Sequence, residues 1–470
     1  MTVFVLVLSL IPSAIFARGI WAVWRFACLA PAAKRHYPAA LWHRWRWRWL
    51  THNLGLTYED KHRRRRGLSF GTAVKVSPDM NIGAVKLRHP KARFRADPFG
   101  LVATVKTVPK VGRGDFEKHA EHIANAWKCY RVQVSQPKPG RLIVRGLRTD
   151  PLTLPFGADE APPGVITSPL RLYLGRDEWA SDRWLNLPGL TGITVGGLPG
   201  YGKTSLINSW LMQLAGLPVQ FVIVDGKGGG DYSDWLDRAW IWAGDELDQA
   251  AAALEDAHAL MRSRFQTVAG QTGHRNAWRA GPTDGFPLIV TVIDECHTFF
   301  DIDGVKNDRQ AEAHVRTCRQ FAGQLVKKGR SVLMLTILIT QKQTSDAIPT
   351  AIRDNCGFGV SFAVRTKDAA VASLGDHIRE YPSYCPTTLQ DPAYTGVCTA
   401  SLRTGQDPFV RLRVPEVTEE AAAVRVAETA CKRRDPSVIP APVPVAESQP
   451  PPLADPVSDG FSQGWPQAIA

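Results

Sequence analysis

Eight consecutive residues, Gly197-Leu198-Pro199-Gly200-Tyr201-Gly202-Lys203-Thr204, fit the phosphate-loop pattern G-x-x-x-x-G-K-[ST] without a mismatch. Glycines at 197, 200 and 202 let successive backbone N–H groups curl around phosphate oxygens, and a helix N-terminus behind them adds partial positive charge. Lys203 is expected to reach the β- and γ-phosphates, and Thr204 to give its hydroxyl to Mg²⁺. Ser205, the next residue, completes the expected nucleotide-binding set. A second constellation supports the first. The apolar run 288–293 ends in Asp294-Glu295. Phosphoryl transfer needs a carboxylate that holds Mg²⁺ and a base or positioner for the attacking water. Asp294 and Glu295 are the expected pair, with Asp294 on the metal and Glu295 as the catalytic carboxylate. ATP and Mg²⁺ are therefore the expected cofactors.

These residues need particular elements around them. Gly192-Ile193-Thr194-Val195 reads as a strand entering the loop, and residues 205–215 read as an amphipathic helix leaving it. The run 288–293 has the near-continuous apolar character of a strand in a parallel sheet, and the crevice beyond the carboxyl ends of such strands is where α/β folds bind ligands. Residues 219–224, 332–340 and 358–364 read as further strands, and residues 248–265 as a long helix. Strands alternating with helices predict an α/β fold, a doubly wound, mostly parallel sheet of the P-loop NTPase (RecA-like) kind.

The chain has 470 residues, 44% of them hydrophobic and 21% charged, which suits a folded protein of two or three domains. Net charge is +13, but residues 1–66 carry +10 of it and the other 404 residues only +3. Eight cysteines at irregular spacing, with no C-x-x-C pair, suggest neither a zinc site nor a disulfide framework. Residues 2–17 carry no charge, and Arg18 is followed by a further apolar stretch to Trp24. A span needs about 20 apolar residues, so residues 2–24 suffice when Arg18 snorkels to the interface. Positive charge follows the run, so by the positive-inside rule the chain is expected on a cell membrane with the residues after the run facing the cytoplasm. Trp21, Trp24, Trp42, Trp45, Trp47 and Trp49 suit a headgroup belt, and the arginines between them suit an anionic membrane surface. The competing reading is a basic arm on nucleic acid.

The expected division is a membrane anchor at 1–33, a basic Trp/Arg-rich juxtamembrane arm at 34–67 and a small α+β module at 68–155. The motor follows at 156–415, and a helix with a Pro-rich flexible tail at 416–470. Within the module, 102–108, 130–134 and 142–145 read as strands and 115–127 as a helix. Pro-rich residues 151–170 read as a linker.

Several further motifs resemble the FtsK/SpoIIIE DNA translocases, and more closely the TraB-type plasmid transfer proteins of actinomycetes. They are Asp225-Gly226-Lys227-Gly228-Gly229, Met261-Arg262-Ser263-Arg264-Phe265, Asp294-Glu295, Lys328-Gly329-Arg330, Ile339-Thr340-Gln341-Lys342 and Ile352-Arg353-Asp354-Asn355, in this order. The resemblance covers roughly residues 165–415. It implies a homo-oligomeric ring, a hexamer, that pumps double-stranded DNA with ATP. It also implies that Gln341 senses the γ-phosphate and that an arginine acts across the subunit interface, for which Arg330 is the candidate. Asp231-Tyr232 and the nearby glycines are assigned to a pore-facing loop. The chain departs from the family at Gly359 and Ala369-Ala370-Val371, where relatives carry arginines, so Arg353 or Arg365 are substitutes. No recognition helix is visible, so DNA contact is expected to be backbone-driven and salt-sensitive. A protein-export ATPase of the type VII secretion kind and a nucleotide-binding adaptor with little turnover are the alternative functions.

Overall fold

The computed structural model describes residue 24 and residues 26–60, 86–162, 170–228, 230–342, 347–401 and 408–438. The expected anchor up to residue 23, the 61–66 basic cluster and the proline tail from 439 onward lie outside the described residues. Among the described residues, no helix is long and apolar enough to cross a membrane.

The first module begins with helix α1 (Tyr37–Asn53) and a small ribbon of β1 (Tyr58–Asp60) and β2 (Lys86–Arg88). Then follow β3 (Lys91–Asp97), β4 (Gly100–Lys106), α2 (Arg113–Lys118), α3 (Ala120–Trp127), β5 (Arg131–Lys138) and β6 (Arg141–Leu147). The last four strands form an antiparallel sheet in the order β3-β4-β6-β5. Period-two alternation sends Phe94, Leu101, Ala103, Val105, Leu142 and Val144 to one face, where they meet Phe116, Ile123 and Trp127 of the helices. The single helix expected over 115–127 is two helices, because the backbone turns out of the helical region at His119 (φ −103°, ψ 11°).

Residues 37–56, expected to belong to a separate arm, contribute Ala40, Trp47, Leu50 and Leu56 to this same core. Helical geometry explains the difference. Residues two apart on a helix lie about 200° apart, so Trp47 turns inward while Trp42, Trp45 and Trp49 remain exposed. Trp47 therefore does not belong to a headgroup belt. It stands edge-on to Phe94 at 5.5 Å, and its indole N–H donates to the Pro90 carbonyl at 2.7 Å.

The same packing makes a pH-dependent seam. His43 of α1 sits 6.0 Å from the Trp127 ring, and burial, helped by the charges of Arg148 and Arg46, lowers its pKa to about 4. The unfolded chain binds this proton near pH 6.5 and the folded one does not, so this contribution to stability is lost as pH falls from about 6.5 to about 4. We expect His43→Gln to flatten the acid arm of the stability curve followed by Trp fluorescence. Parallel acid arms for the two proteins would remove His43 from the account.

The second unit is built on one ten-stranded sheet. Its elements are β7 (Arg171–Asp177), β8 (Asp182–Asn186), β9 (Gly192–Gly196), α4 (Lys203–Ala215), β10 (Val219–Asp225), β11 (Ala239–Ala243), α5 (Leu247–Thr272) and β12 (Leu288–Asp294). They continue through α6 (Cys296–Phe300), α7 (Arg309–Lys328), β13 (Met334–Thr340), α8 (Thr350–Arg353), β14 (Phe358–Ser361), α9 (Lys367–Leu374), β15 (Val397–Ser401), β16 (Phe409–Arg413) and α10 (Glu419–Thr429). The strand order is β11-β10-β12-β13-β9-β14-β15-β16-β7-β8. The first six run parallel and the last four extend the sheet antiparallel. Every residue of β9, β10, β12 and β13 is buried, so both sheet faces are covered there and the strands read as near-continuous apolar runs.

The start of the expected linker and the expected helix after residue 416 both pack onto this unit. Leu152 and Phe156, at the start of the expected linker, are buried, and the Phe156 carbonyl accepts the Glu416 N–H at 2.9 Å. Helix α10 buries Ala422 and Val426, and its Arg425 donates to the Met212 carbonyl of α4 at 3.1 Å. The long helix does not end at Phe265 as expected but runs on to Thr272, so its Met-Arg-Ser-Arg-Phe motif is internal, and Arg264 of that motif is buried under the ring of Phe286. It donates to the carbonyl of Val332 at 2.9 Å, just ahead of β13. That motif residue ties α5 to the strand that carries Gln341.

Candidate nucleotide site

Strand β9 delivers the glycine loop to the centre of the parallel sheet, and α4 begins at Lys203. Gly197 (φ +145°) and Gly202 (φ +103°) adopt backbone conformations that L side chains rarely reach. A Cβ at Gly197 would lie 2.7 Å from that of Phe362, so the loop is both curled and closely packed. The Leu198 N–H donates to the Ala363 carbonyl at 2.8 Å, which holds the loop against the chain leaving β14.

Lys203 is 5% exposed, and its ammonium donates to the carbonyls of Gly197 and Leu198, both at 2.9 Å. Burial lowers its pKa to about 8, against the opposing pull of Glu295 and Asp294. Thr204 donates its hydroxyl to Asp231 at 3.2 Å. Ser205 uses its hydroxyl elsewhere: it donates to the Pro415 carbonyl at 3.0 Å and accepts the Val417 N–H at 2.8 Å. What Ser205 can still offer a phosphate is its backbone N–H, since its side chain anchors the segment after β16.

The strand register brings the distant parts together. Thr340 at the end of β13 pairs with Gly196 at the end of β9, so Gln341 stands next to the glycine loop. Strand β12 lies on the far side of β13 and ends in Asp294. The Gln341 backbone N–H donates to Glu295 Oε2 at 3.1 Å and so ties the two strand ends together. Glu295 takes a left-handed backbone (φ +44°, ψ 46°), which turns the chain sharply from β12 into α6. Such a conformation costs a non-glycine residue free energy and concentrates at functional sites.

The two carboxylates have opposite electrostatics. Burial raises the pKa of Asp294 to about 6, more than the nearby Lys227 ammonium lowers it. Burial would raise Glu295 too, but the His297 ring, 3.2 Å away, and the Gln341 N–H outweigh it and hold its pKa below the usual carboxylate range. Asp294 Oδ2 and Glu295 Oε1 are buried side-chain oxygens with no hydrogen-bond partner. Unsatisfied buried oxygens beside a lysine, a threonine hydroxyl and a glycine loop fit Mg²⁺ and a nucleotide triphosphate.

Sequence reasoning missed three members of the site. Lys227 lies 3.6 Å from Asp294 and pairs with Asp231, and His297 flanks Glu295. Asp231 and Tyr232, assigned to a pore-facing loop, are instead part of this network and its floor: Asp231 contacts Thr204 and Lys227, and Tyr232 is 1% exposed. The physical reason is that the turn after β10 folds back over the end of β12, where Gly226 N–H donates to the Asp294 carbonyl. The D-x-K-G motif was the available signal. Arg330 is not brought to the site within one chain. It is exposed, ahead of the first residue of β13, and the length of that seven-residue strand separates it from Gln341, roughly 20 Å. Arg353 lies on α8 beside Asp354 at 3.6 Å, and Arg365 follows the Ala363 carbonyl that holds the loop.

No family model and no curated protein matches the chain. Among solved structures, it is similar to the pCW3 conjugation coupling protein TcpA in its monomer form with ATPγS, at 16% identity, over 73% of this chain and 94% of that one, with a TM-score of 0.50. It also matches the cytoplasmic domain of the Thermomonospora curvata type VII secretion ATPase EccC, at 17% identity, over 60% of this chain and 33% of that one, with a TM-score of 0.43. EssC (ATPases 2 and 3) from Geobacillus thermodenitrificans follows at 15% identity, over 58% of this chain and 50% of that one, with a TM-score of 0.40. At 16% identity the likeness to TcpA is one of fold, and together with the glycine loop and the large, mostly parallel sheet it fits an α/β fold of the P-loop NTPase kind.

Proposed function

We propose that the chain is a membrane-anchored, ATP-driven translocase of double-stranded DNA that works as a homo-oligomeric ring, in conjugal plasmid transfer or chromosome segregation. The observation that carries the ATPase part is the pair of buried oxygens that accept no hydrogen bond, Asp294 Oδ2 and Glu295 Oε1, at the strand end tied to the glycine loop through Gln341. The DNA part is supported by the likeness of fold to a conjugation coupling protein that spans 94% of that structure.

In this reading Mg²⁺–ATP supplies the phosphoanhydride and the charge that neutralises its oxygens. Gly197, Gly200, Gly202 and Ser205 present backbone N–H groups to the phosphates. Lys203 holds the β- and γ-phosphates, and Thr204 and Asp294 hold the metal. Glu295, kept ionised by His297 and the Gln341 N–H, takes the proton of the attacking water. Gln341 reads the γ-phosphate from the strand beside the loop. Arg330 serves a neighbouring subunit of the ring, a role consistent with its exposure and its distance from its own site.

ATP hydrolysis by the full chain in detergent, with and without random-sequence duplex, tests the reading. We expect several-fold stimulation by duplex at low salt. Good basal turnover with no response to duplex would favour the protein-export reading instead.

A further inference from the structure

The four-stranded sheet of the first module has a second face, and among the described residues it is open. Alternation along the strands puts Lys91, Arg93 and Arg95 of β3, Lys106 of β4, and Arg141 and Arg145 of β6 on it. The register sets Lys91 opposite Lys106, and Lys106 opposite Arg141, so the cations run across neighbouring strands. Like charges directly opposite each other destabilise a sheet unless something else uses them. Among the described residues, Lys91, Arg93, Arg95, Lys106 and Arg141 have no acidic partner and are exposed, and they line a shallow depression of about 640 Å³. Arg145 is the exception, paired with Asp97 at 2.7 Å.

We propose that this face is a docking surface for the phosphate backbone of double-stranded DNA outside the motor; it rests on the DNA reading above. Charge and size both fit. Six or seven residues of strand span roughly 20 Å, along which a duplex presents on the order of ten phosphate charges. Contacts of this kind position a duplex without reading its sequence. No aromatic residue stands on the face, since Phe94 points to the core, so neither base stacking nor insertion among lipid headgroups is provided for. Exposed Trp42, Trp45 and Trp49 belong to α1, whose Trp47 and Leu50 pack on the other face of the sheet. Of the three, Trp45 shares a groove with Lys91 and Lys106 at one end of the sheet, while Arg93, Arg95 and Arg141 lie outside that groove. The open face is also tied to the motor. Arg145 donates to the Ala180 carbonyl at 3.4 Å, while Arg131 lies 3.7 Å from Glu178 and 5.3 Å from the centre of the Trp179 ring. These residues form the turn between β7 and β8, so DNA held on the face is held at a fixed place relative to the ATPase sheet.

The test is binding of a fluorescent random-sequence 30-base-pair duplex to the full chain in detergent, by anisotropy, between 50 and 200 mM salt. Arg93→Glu/Arg95→Glu/Arg141→Glu is expected to weaken binding at least tenfold. It is also expected to reduce the slope of log affinity against log salt by about 2.7, or 0.9 for each lost contact. Arg93→Gln/Arg95→Gln/Arg141→Gln, which introduces no repulsion, should shift the slope in the same direction with an unchanged Tm. Lys110→Glu/Arg113→Glu/Lys118→Glu, on the helix side of the module, should leave it in place. If the wild type binds duplex and the two triple variants at Arg93, Arg95 and Arg141 both match it in affinity and slope, this inference falls and the DNA reading stands. If the wild type binds no duplex, both fall. If the variants lose only binding to vesicles containing phosphatidylserine, the face serves a membrane and the inference is overturned.

Discussion

Glu295→Gln is expected to bind ATP like the wild type and to hydrolyse it about 10²- to 10⁴-fold more slowly, the range over which a positioned general base contributes. The substitution is nearly isosteric. A glutamine carbonyl oxygen can still accept the Gln341 N–H that Glu295 Oε2 now accepts at 3.1 Å, so the link between β12 and β13 survives. The left-handed turn at residue 295 is no harder for glutamine than for glutamate. What disappears is the charge and the ability to take a proton. In the wild type that charge is protected, because His297 and the Gln341 amide hold the pKa below the usual carboxylate range despite burial. Asp294, its neighbour, is assigned to the metal on position: it ends β12 with a buried oxygen that accepts no hydrogen bond. Binding of a fluorescent ATP analogue beside single-turnover hydrolysis separates the two effects. Normal turnover in Glu295→Gln would move the base to another residue, with His297 the first to examine.

What was legible in the sequence follows from which constraints are local. The glycine loop, Lys203 and the Asp294-Glu295 strand end could be read because each depends on residues adjacent in the chain and on strands buried on both faces. Strands β9, β10, β12 and β13 all carry that near-continuous apolar character. Strands β7, β8, β15 and β16 were not anticipated. They extend the sheet antiparallel and mix polar with apolar residues, as in the Phe-Val-Arg-Leu-Arg of β16. Helix α1 was misplaced because tryptophan at nearly every second position disguises a helical face. The role of Lys227 and Asp231 was hidden for a different reason. It depends on the turn after β10 lying over the end of β12, a contact between residues some 65 positions apart. Ser205 shows the converse: a position chosen by motif whose side chain is taken up by a tertiary contact more than 200 residues away.

Lys203→Ala is expected to weaken ATP binding by at least 10² and to abolish duplex-stimulated hydrolysis. Each hydrogen bond from a charged donor contributes about 1.5–3 kcal/mol, and an ammonium that spans two phosphates makes more than one. The loss is not confined to those contacts. Lys203 also donates to the Gly197 and Leu198 carbonyls, so alanine leaves the glycine loop without the group that gathers its start. Lys203→Arg is not expected to rescue binding. Lys203 is 5% exposed, and a planar guanidinium needs more room and a different geometry than its ammonium. The pKa of about 8 makes a second, independent expectation. At pH 7 the free protein is mostly charged at Lys203, and bound phosphates favour the charged form further. Binding therefore takes up a proton above pH 8, and the affinity of the wild type should fall toward tenfold per pH unit there. Lys203→Ala, with nothing to protonate, should bind weakly at every pH with no such slope. Equal slopes in the two proteins would mean that another group carries the charge that meets the phosphates.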